Sequence, residues 1–181
     1  MKKVKYTKSQ SVRKWGYSMK LNLSELIALQ AQLDERIMAL HQEERGNTRN
    51  KRVLALIVEI NELANETRCF KYWSLKGPSS VDILLEEFSD TMHFVISLGI
   101  DLGLEEMIFE SISKPMDLTS LFMDWIHAST ALVDHFDLEH FYQVGALMAT
   151  MAHALNFSEK ACIETYYAKN KTNHIRQSEA Y

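Results

Sequence analysis

Two acidic pairs stand on either side of one chain break, and that arrangement limits what this sequence can fold into. Glu59 and Glu62 lie three apart in EINELANETR. Glu87 and Asp90 lie three apart in EEFSD, and Gly77-Pro78 separates the pairs. Residues three apart share one face of an α-helix. Two helices running antiparallel about the break therefore bring four carboxylates to one place. Clustered carboxylates repel and raise one another's pKa. Hard divalent cations relieve that repulsion, and Mg²⁺ prefers carboxylate oxygens, water and substrate phosphates. A lone E-x-x-E is more often a solvated acidic face, so the argument rests on the two pairs together.

The rest of the chain supports helices. Only 6 Gly and 2 Pro occur in 181 residues, too few for a turn-rich β fold. At 46% hydrophobic content the chain can bury one sizeable core. Cys69 and Cys162 have no metal-ligand spacing and read as free thiols of a reducing, cytoplasmic setting. No apolar run reaches membrane-spanning length. Residues 1–18 carry six Lys or Arg and no acid, so the net charge of −4 becomes −10 once those six are set aside. An acidic body of that kind is a poor partner for nucleic acid. We read 1–18 as a flexible basic tail and 19–181 as a single all-α domain.

Apolar spacing places a first helix over about 24–43 and a second over about 50–68, with Gly46-Asn47-Thr48 as the break between them. Gln30 and Asp34 share a polar edge of the first. On the second, Glu59, Glu62 and Glu66 lie together on the flank of a Val53, Leu56, Ile60 and Leu63 stripe. Phe70, Tyr72 and Trp73 follow in the connector. They either plug the end of a helix pair or make a stacking wall for a base. Ser79 is placed to cap a third helix, to about Leu102, with Val81 among its core residues. Its other face carries Glu86, Glu87, Asp90, His93 and Ser97, and Phe94 projects among those acids. An aromatic there suits either a packed neighbour or a flat ligand. A short helix is expected over 104–113 and a break at Pro115. Further helices are expected to start at Asp117 or Thr119, at Asp137 and at Ser158. His127, His135, His140 and His153 form no paired ligand motif and read as surface or interface histidines. In the last helix Tyr166, Lys169, Asn173 and Arg176 recur along one edge, and its two cations suit phosphate.

Together these residues resemble the dimeric all-α dUTP pyrophosphatases, within the wider MazG-like group of helical nucleoside-triphosphate pyrophosphohydrolases. The wider group's E-x-x-E, spacer, E-x-x-D pattern is matched by Glu59, Glu62, Glu87 and Asp90. The narrower resemblance lies in ELANETRCFKYWS at 62–74, in LQAQLDERI at 29–37 and in YYAKNKTNHIRQSEAY at the end. Asp34 stands where several members have Asn, and Ala180 where the family has Gly. The resemblance implies a helical bundle of about six main helices around a four-helix catalytic core. It implies Mg²⁺-dependent hydrolysis of dUTP, with dUDP also accepted, to dUMP, and release of pyrophosphate from dUTP. It also implies a homodimer whose substrate is a deoxyuridine nucleotide. Glu59, Glu62, Glu87 and Asp90 are then the catalytic metal ligands, for more than one ion. Gln30, Asp34, Trp73, Phe94 and Asn173 hold the nucleoside, and Lys169 and Arg176 offset phosphate charge. Two alternatives stay open: a related pyrophosphohydrolase preferring dCTP or a modified nucleotide, and a helical interaction module without catalysis.

Overall fold

The computed structural model describes residues 18–113 and 117–178. Most of the expected basic tail, Pro115, Ala180 and Tyr181 lie outside the described residues. Six α-helices carry the architecture among those described: α1 (Ile27–His41), α2 (Arg45–Thr67), α3 (Val81–Asp101), α4 (Leu118–Ala131), α5 (Leu138–Ala154) and α6 (Glu159–Ser178). A 3-10 turn at Ser24–Leu26 leads into α1. Among the described residues one small sheet pairs β1 (Lys20–Asn22) antiparallel with β2 (Ile108–Glu110), in the register Leu21 opposite Phe109. None of these helices is long and apolar enough to cross a membrane.

α2 and α3 form the central hairpin. Their cross-links run in opposite order along the two helices, which makes them antiparallel. Glu66 meets Ser79 at the closed end, and Arg52 meets Ser97 and Asp101 at the open end. Each helix has a dry face. Val53, Leu56, Ile60 and Leu63 of α2 are fully buried, as are Phe88, Met92, Val95 and Ile96 of α3. Burying a side chain of that size is worth roughly 1.5–3 kcal/mol, so this seam fixes the register that sets the acids opposite one another. Trp125 of α4 and Phe157 before α6 pack on Phe88 and complete the core. Asp117 and Asp137 cap α4 and α5 through the amides of Ser120 and His140. Ser158 accepts from the amide of Ala161 as α6 begins.

Four sequence expectations are corrected. Residues 107–111 are not a helix: Met107, Phe109 and Ser111 are buried while Ile108 and Glu110 are not, the alternation of a half-buried strand. Phe109 lies so close to Gly145 of α5 that a Cβ there would sit 2.1 Å from its ring. α2 starts at Arg45 rather than near Asn50, because Gly46 falls in the first turn, where a glycine disturbs a helix little. Ser80, not Ser79, occupies the N-cap position of α3. Ser79 instead donates its hydroxyl to Glu66 and its amide to the Glu66 carbonyl, which closes the hairpin. Val81, expected in the core, is 59% exposed.

Candidate active site

Packing α1 and α6 against the open half of the α2–α3 hairpin leaves a cleft of about 620 Å³. Its walls include Gln30 and Asp34 from α1, Glu59 from α2, Asp90, His93, Phe94 and Ser97 from α3, and Asn173 and Arg176 from α6. Nine of the eleven residues singled out in the sequence thus stand at this cleft or its acidic edge: Gln30, Asp34, Glu59, Glu87, Asp90, Phe94, Lys169, Asn173 and Arg176. Lys169 reaches the same edge through Asp90.

The acidic edge is the crossing point of the two helices. Glu59, Glu87 and Asp90 each place a carboxylate oxygen within 4.8 Å of the others. Burial pushes Glu59 up to about 7, and Asp90, Glu62 and Glu87 reinforce the rise. Burial raises Glu87 as well, with Asp90 and Glu62 adding to it. Asp90 is also raised, because desolvation outweighs the ammonium beside it. Glu62 is exposed, and it lines the outer surface of the crossing with Glu66 and Glu87. The edge is all-oxygen, partly desolvated and short of positive charge, which is the donor chemistry that hard divalent cations take. Lys169 supplies part of the missing charge. Its ammonium lies 2.7 Å from Asp90 Oδ2 and 2.9 Å from Glu86 Oε1, and its side chain is 11% exposed. The resemblance had set Lys169 on phosphate; here it also ties α6 to the acidic face of α3.

The other end of the cleft is organised differently. Asp34 is 6% exposed and both its oxygens are engaged. Oδ1 accepts from Gln30 Nε2 at 2.7 Å, and Oδ2 accepts from Arg45 at 2.7 Å and from Ser97 Oγ at 2.6 Å. Arg45 and Arg52, seven apart on one face of α2, both reach Asp101, whose side chain is 4% exposed. Gln30 Oε1 accepts from the Tyr166 hydroxyl and from His93 Nδ1, each at 2.7 Å. The His93 ring stacks on Tyr166 with centroids 4.1 Å apart. Tyr166, which the sequence sets on the cationic edge of α6, is fully buried and serves as this wall.

Trp73 does not join the others. It is 66% exposed in the connector, edge-on to Tyr72 and Phe70, and does not line the cleft. Four residues that the sequence did not assign are prominent: His93, Ser97, Arg45 and Asp101. The signals were there. His93 follows Asp90 by one helical turn, and Arg45, Thr48 and Arg52 recur on one side of α2.

A family model described as dUTPase matches residues 22–181. No curated protein matches the chain.

Proposed function

The chain belongs to the dUTPase family, and on that premise we propose that it hydrolyses dUTP to dUMP and pyrophosphate with Mg²⁺, and accepts dUDP as well. The observation that carries this reading is the convergence of Glu59, Glu87 and Asp90 at one edge of a cleft large enough for a nucleoside. Those three carboxylates, with Glu62 beside them, hold the divalent ions. Bound ions of this kind supply Lewis acidity at phosphoryl oxygens and make an attacking water acidic at neutral pH. The chain's own groups do the rest. The acids would hold those ions at the helix crossing. Arg176 lies near enough to Asp90 to favour its ionised form, and it faces the cleft from α6. It offsets charge as the phosphate bond breaks. Lys169 adds fixed positive charge to the same edge.

Phe94 and Asn173 hold the nucleoside directly. Gln30 and Asp34 act chiefly by fixing the wall against which it rests, since their oxygens already have partners. Trp73, exposed in the connector, does not line the cleft of this chain. The exposed Phe70, Tyr72, Trp73 and Leu75 of the connector and Leu54 and Val58 of α2 offer the apolar surface on which a second copy would pack in the implied homodimer.

Pyrophosphate release measured across dUTP, dTTP and dCTP, with Mg²⁺ and with chelator, tests the reading. dUTP should be turned over only with metal. dTTP should be left largely untouched, because a pocket closed around uracil has no room for the 5-methyl. Equal rates on dUTP and dTTP would overturn the base assignment and leave the reaction type standing.

A further inference from the structure

His93 has one ring nitrogen that the described network does not use. Its Nδ1 meets Gln30 Oε1 at 2.7 Å. The neighbours fix which group donates. Gln30 turns its NH₂ toward the Asp34 carboxylate, since the reverse orientation would set oxygen against oxygen. Gln30 Oε1 is therefore an acceptor, and Nδ1 must carry the proton. Burial, followed by the charge of Lys169, lowers the His93 pKa to about 3, so the ring is neutral. Nε2 is then a bare lone pair. It is buried, and among the described residues no hydrogen-bond partner reaches it. The residue as a whole is 5% exposed and lines the cleft one turn beyond Asp90.

A buried acceptor without a donor is destabilising. That cost persists in a folded protein when a ligand is the partner, or when water fills the place. The lone pair rejects phosphate oxygens, carbonyls and other acceptors. Lys169, the cation whose charge it feels, is committed to Asp90 and Glu86. Mg²⁺ favours oxygen donors. What remains is a neutral N–H or O–H. We propose that His93 Nε2 accepts a hydrogen bond from such a donor on the bound nucleoside, and so helps to select the substrate. The inference rests on the nucleotide reading above. A uracil nucleotide carries two donors of this kind, the imino N3–H and the 3′-hydroxyl. Cytosine presents a lone pair at N3, so an imino contact would also set dCTP apart.

The test is a pair of analogues against a variant that separates the two ring nitrogens. His93→Asn keeps an amide N–H where Nδ1 stood and removes the acceptor at Nε2. Binding of dUMP, N3-methyl-dUMP and 2′,3′-dideoxyUMP is measured by calorimetry on the metal-free protein. The wild type should lose tenfold or more with one analogue. His93→Asn should bind dUMP more weakly and show no further loss with that analogue, while the other analogue behaves alike on both proteins. The N3-methyl arm identifies the base as the source, and the dideoxy arm identifies the sugar. His93→Gln, which carries an amide oxygen near the Nε2 position, should restore part of the discrimination. The ¹⁵N resonance of His93 Nε2 in the wild type gives a readout that needs no variant: it should move with dUMP and stay still with Mg²⁺ alone. If dUMP binds without moving that resonance, or if Mg²⁺ alone moves it, the proposal is wrong. Equal analogue losses on wild type and variant also overturn it. A wild type that binds no uracil nucleotide sinks the functional reading itself, which is a different result.

Discussion

The two ends of the cleft solve opposite electrostatic problems. At the helix crossing, Glu59, Glu87 and Asp90 are close together, partly buried and neutralised only in part by Lys169. At the other end every charge has a partner. Asp34 and Asp101 are among the least exposed acids of the protein, yet Arg45 and Arg52 meet them directly. Burial alone does not separate the two ends, because both are partly dry. The separation lies in who supplies the compensating charge. The network end gets it from the chain and is complete when the protein folds. The acidic end leaves a deficit that bound protons or a cation can fill. Deficits of this kind cost stability, and they persist where a function needs them.

The largest effect that can break this comparison is on turnover. Glu59→Gln and Asp90→Asn keep side-chain size and remove one carboxylate charge each. Activity should fall by orders of magnitude, while for Glu59→Gln the metal-free melting temperature stays level or rises because repulsion is relieved. Glu43 is a poor comparison residue, since it lines the cleft and pairs with Lys51. Glu35, exposed on α1, is a better one, and Glu35→Gln should leave turnover unchanged. Near-wild-type activity in both acid variants would mean that the crossing is an ordinary acidic face.

How far the sequence foretold these two ends follows from the range of the signal. The acidic end was legible because a spacing of three fixes a helical face wherever the helix starts. Glu59, Glu87 and Asp90 therefore came together although the predicted start of α2 was five residues late. Phe94 was legible for the same reason. The network end was not. Asp34 belongs to α1, Arg45 to the start of α2 and Asp101 to the end of α3, and only the tertiary packing sets them in contact. Asp34 was noticed, but its partners were not. Trp73 stands outside this cleft, and a connector has no periodicity to say where a side chain points. β2 was read as helix because three residues of alternation are a weak signal, and their partner strand lies at Lys20–Asn22, nearly ninety residues away.

The second test strikes the network end, and it should register in stability before activity. Asp101→Asn leaves the buried Arg52 without its carboxylate and Arg45 with Asp34 alone. Removing one partner of such a cluster costs about 3 kcal/mol. Urea denaturation should show that loss with little change in the slope of free energy on denaturant. Substrate binding should weaken only as Asp34 and Gln30 lose their fixed positions. A variant as stable as the wild type would reduce this cluster to surface pairing.

The smallest effect is the one that most sharpens the contrast, because the two ends should respond to pH with opposite sign. Glu59 titrates near 7 in the folded metal-free protein against an ordinary 4.5. Between those values the native state holds a proton that the unfolded chain has released. Stability from this group is therefore greatest below 4.5 and is lost as pH rises toward 7. Glu87 and Asp90, both raised, add to that sign. His93 does the reverse. It titrates near 3 when folded against 6.5 when free, so the unfolded chain binds the extra proton across that interval. Its contribution is fully present above 6.5 and is lost as pH falls toward 3. In the wild type the two slopes oppose each other between about 4.5 and 6.5, and the profile there should be shallow. Glu59→Gln removes the falling contribution, so the remaining profile should tilt upward with pH. His93→Asn removes the rising one, and its profile should tilt downward. Glu59 is only half-buried, so solvent screening keeps its share modest. Comparing slopes cancels any fixed loss of stability from the substitution itself. The measurement is thermal unfolding in chelator at pH 5, 6 and 7 and constant ionic strength. Parallel profiles for the two variants would show that the ends of the cleft do not differ in the way their charges are balanced.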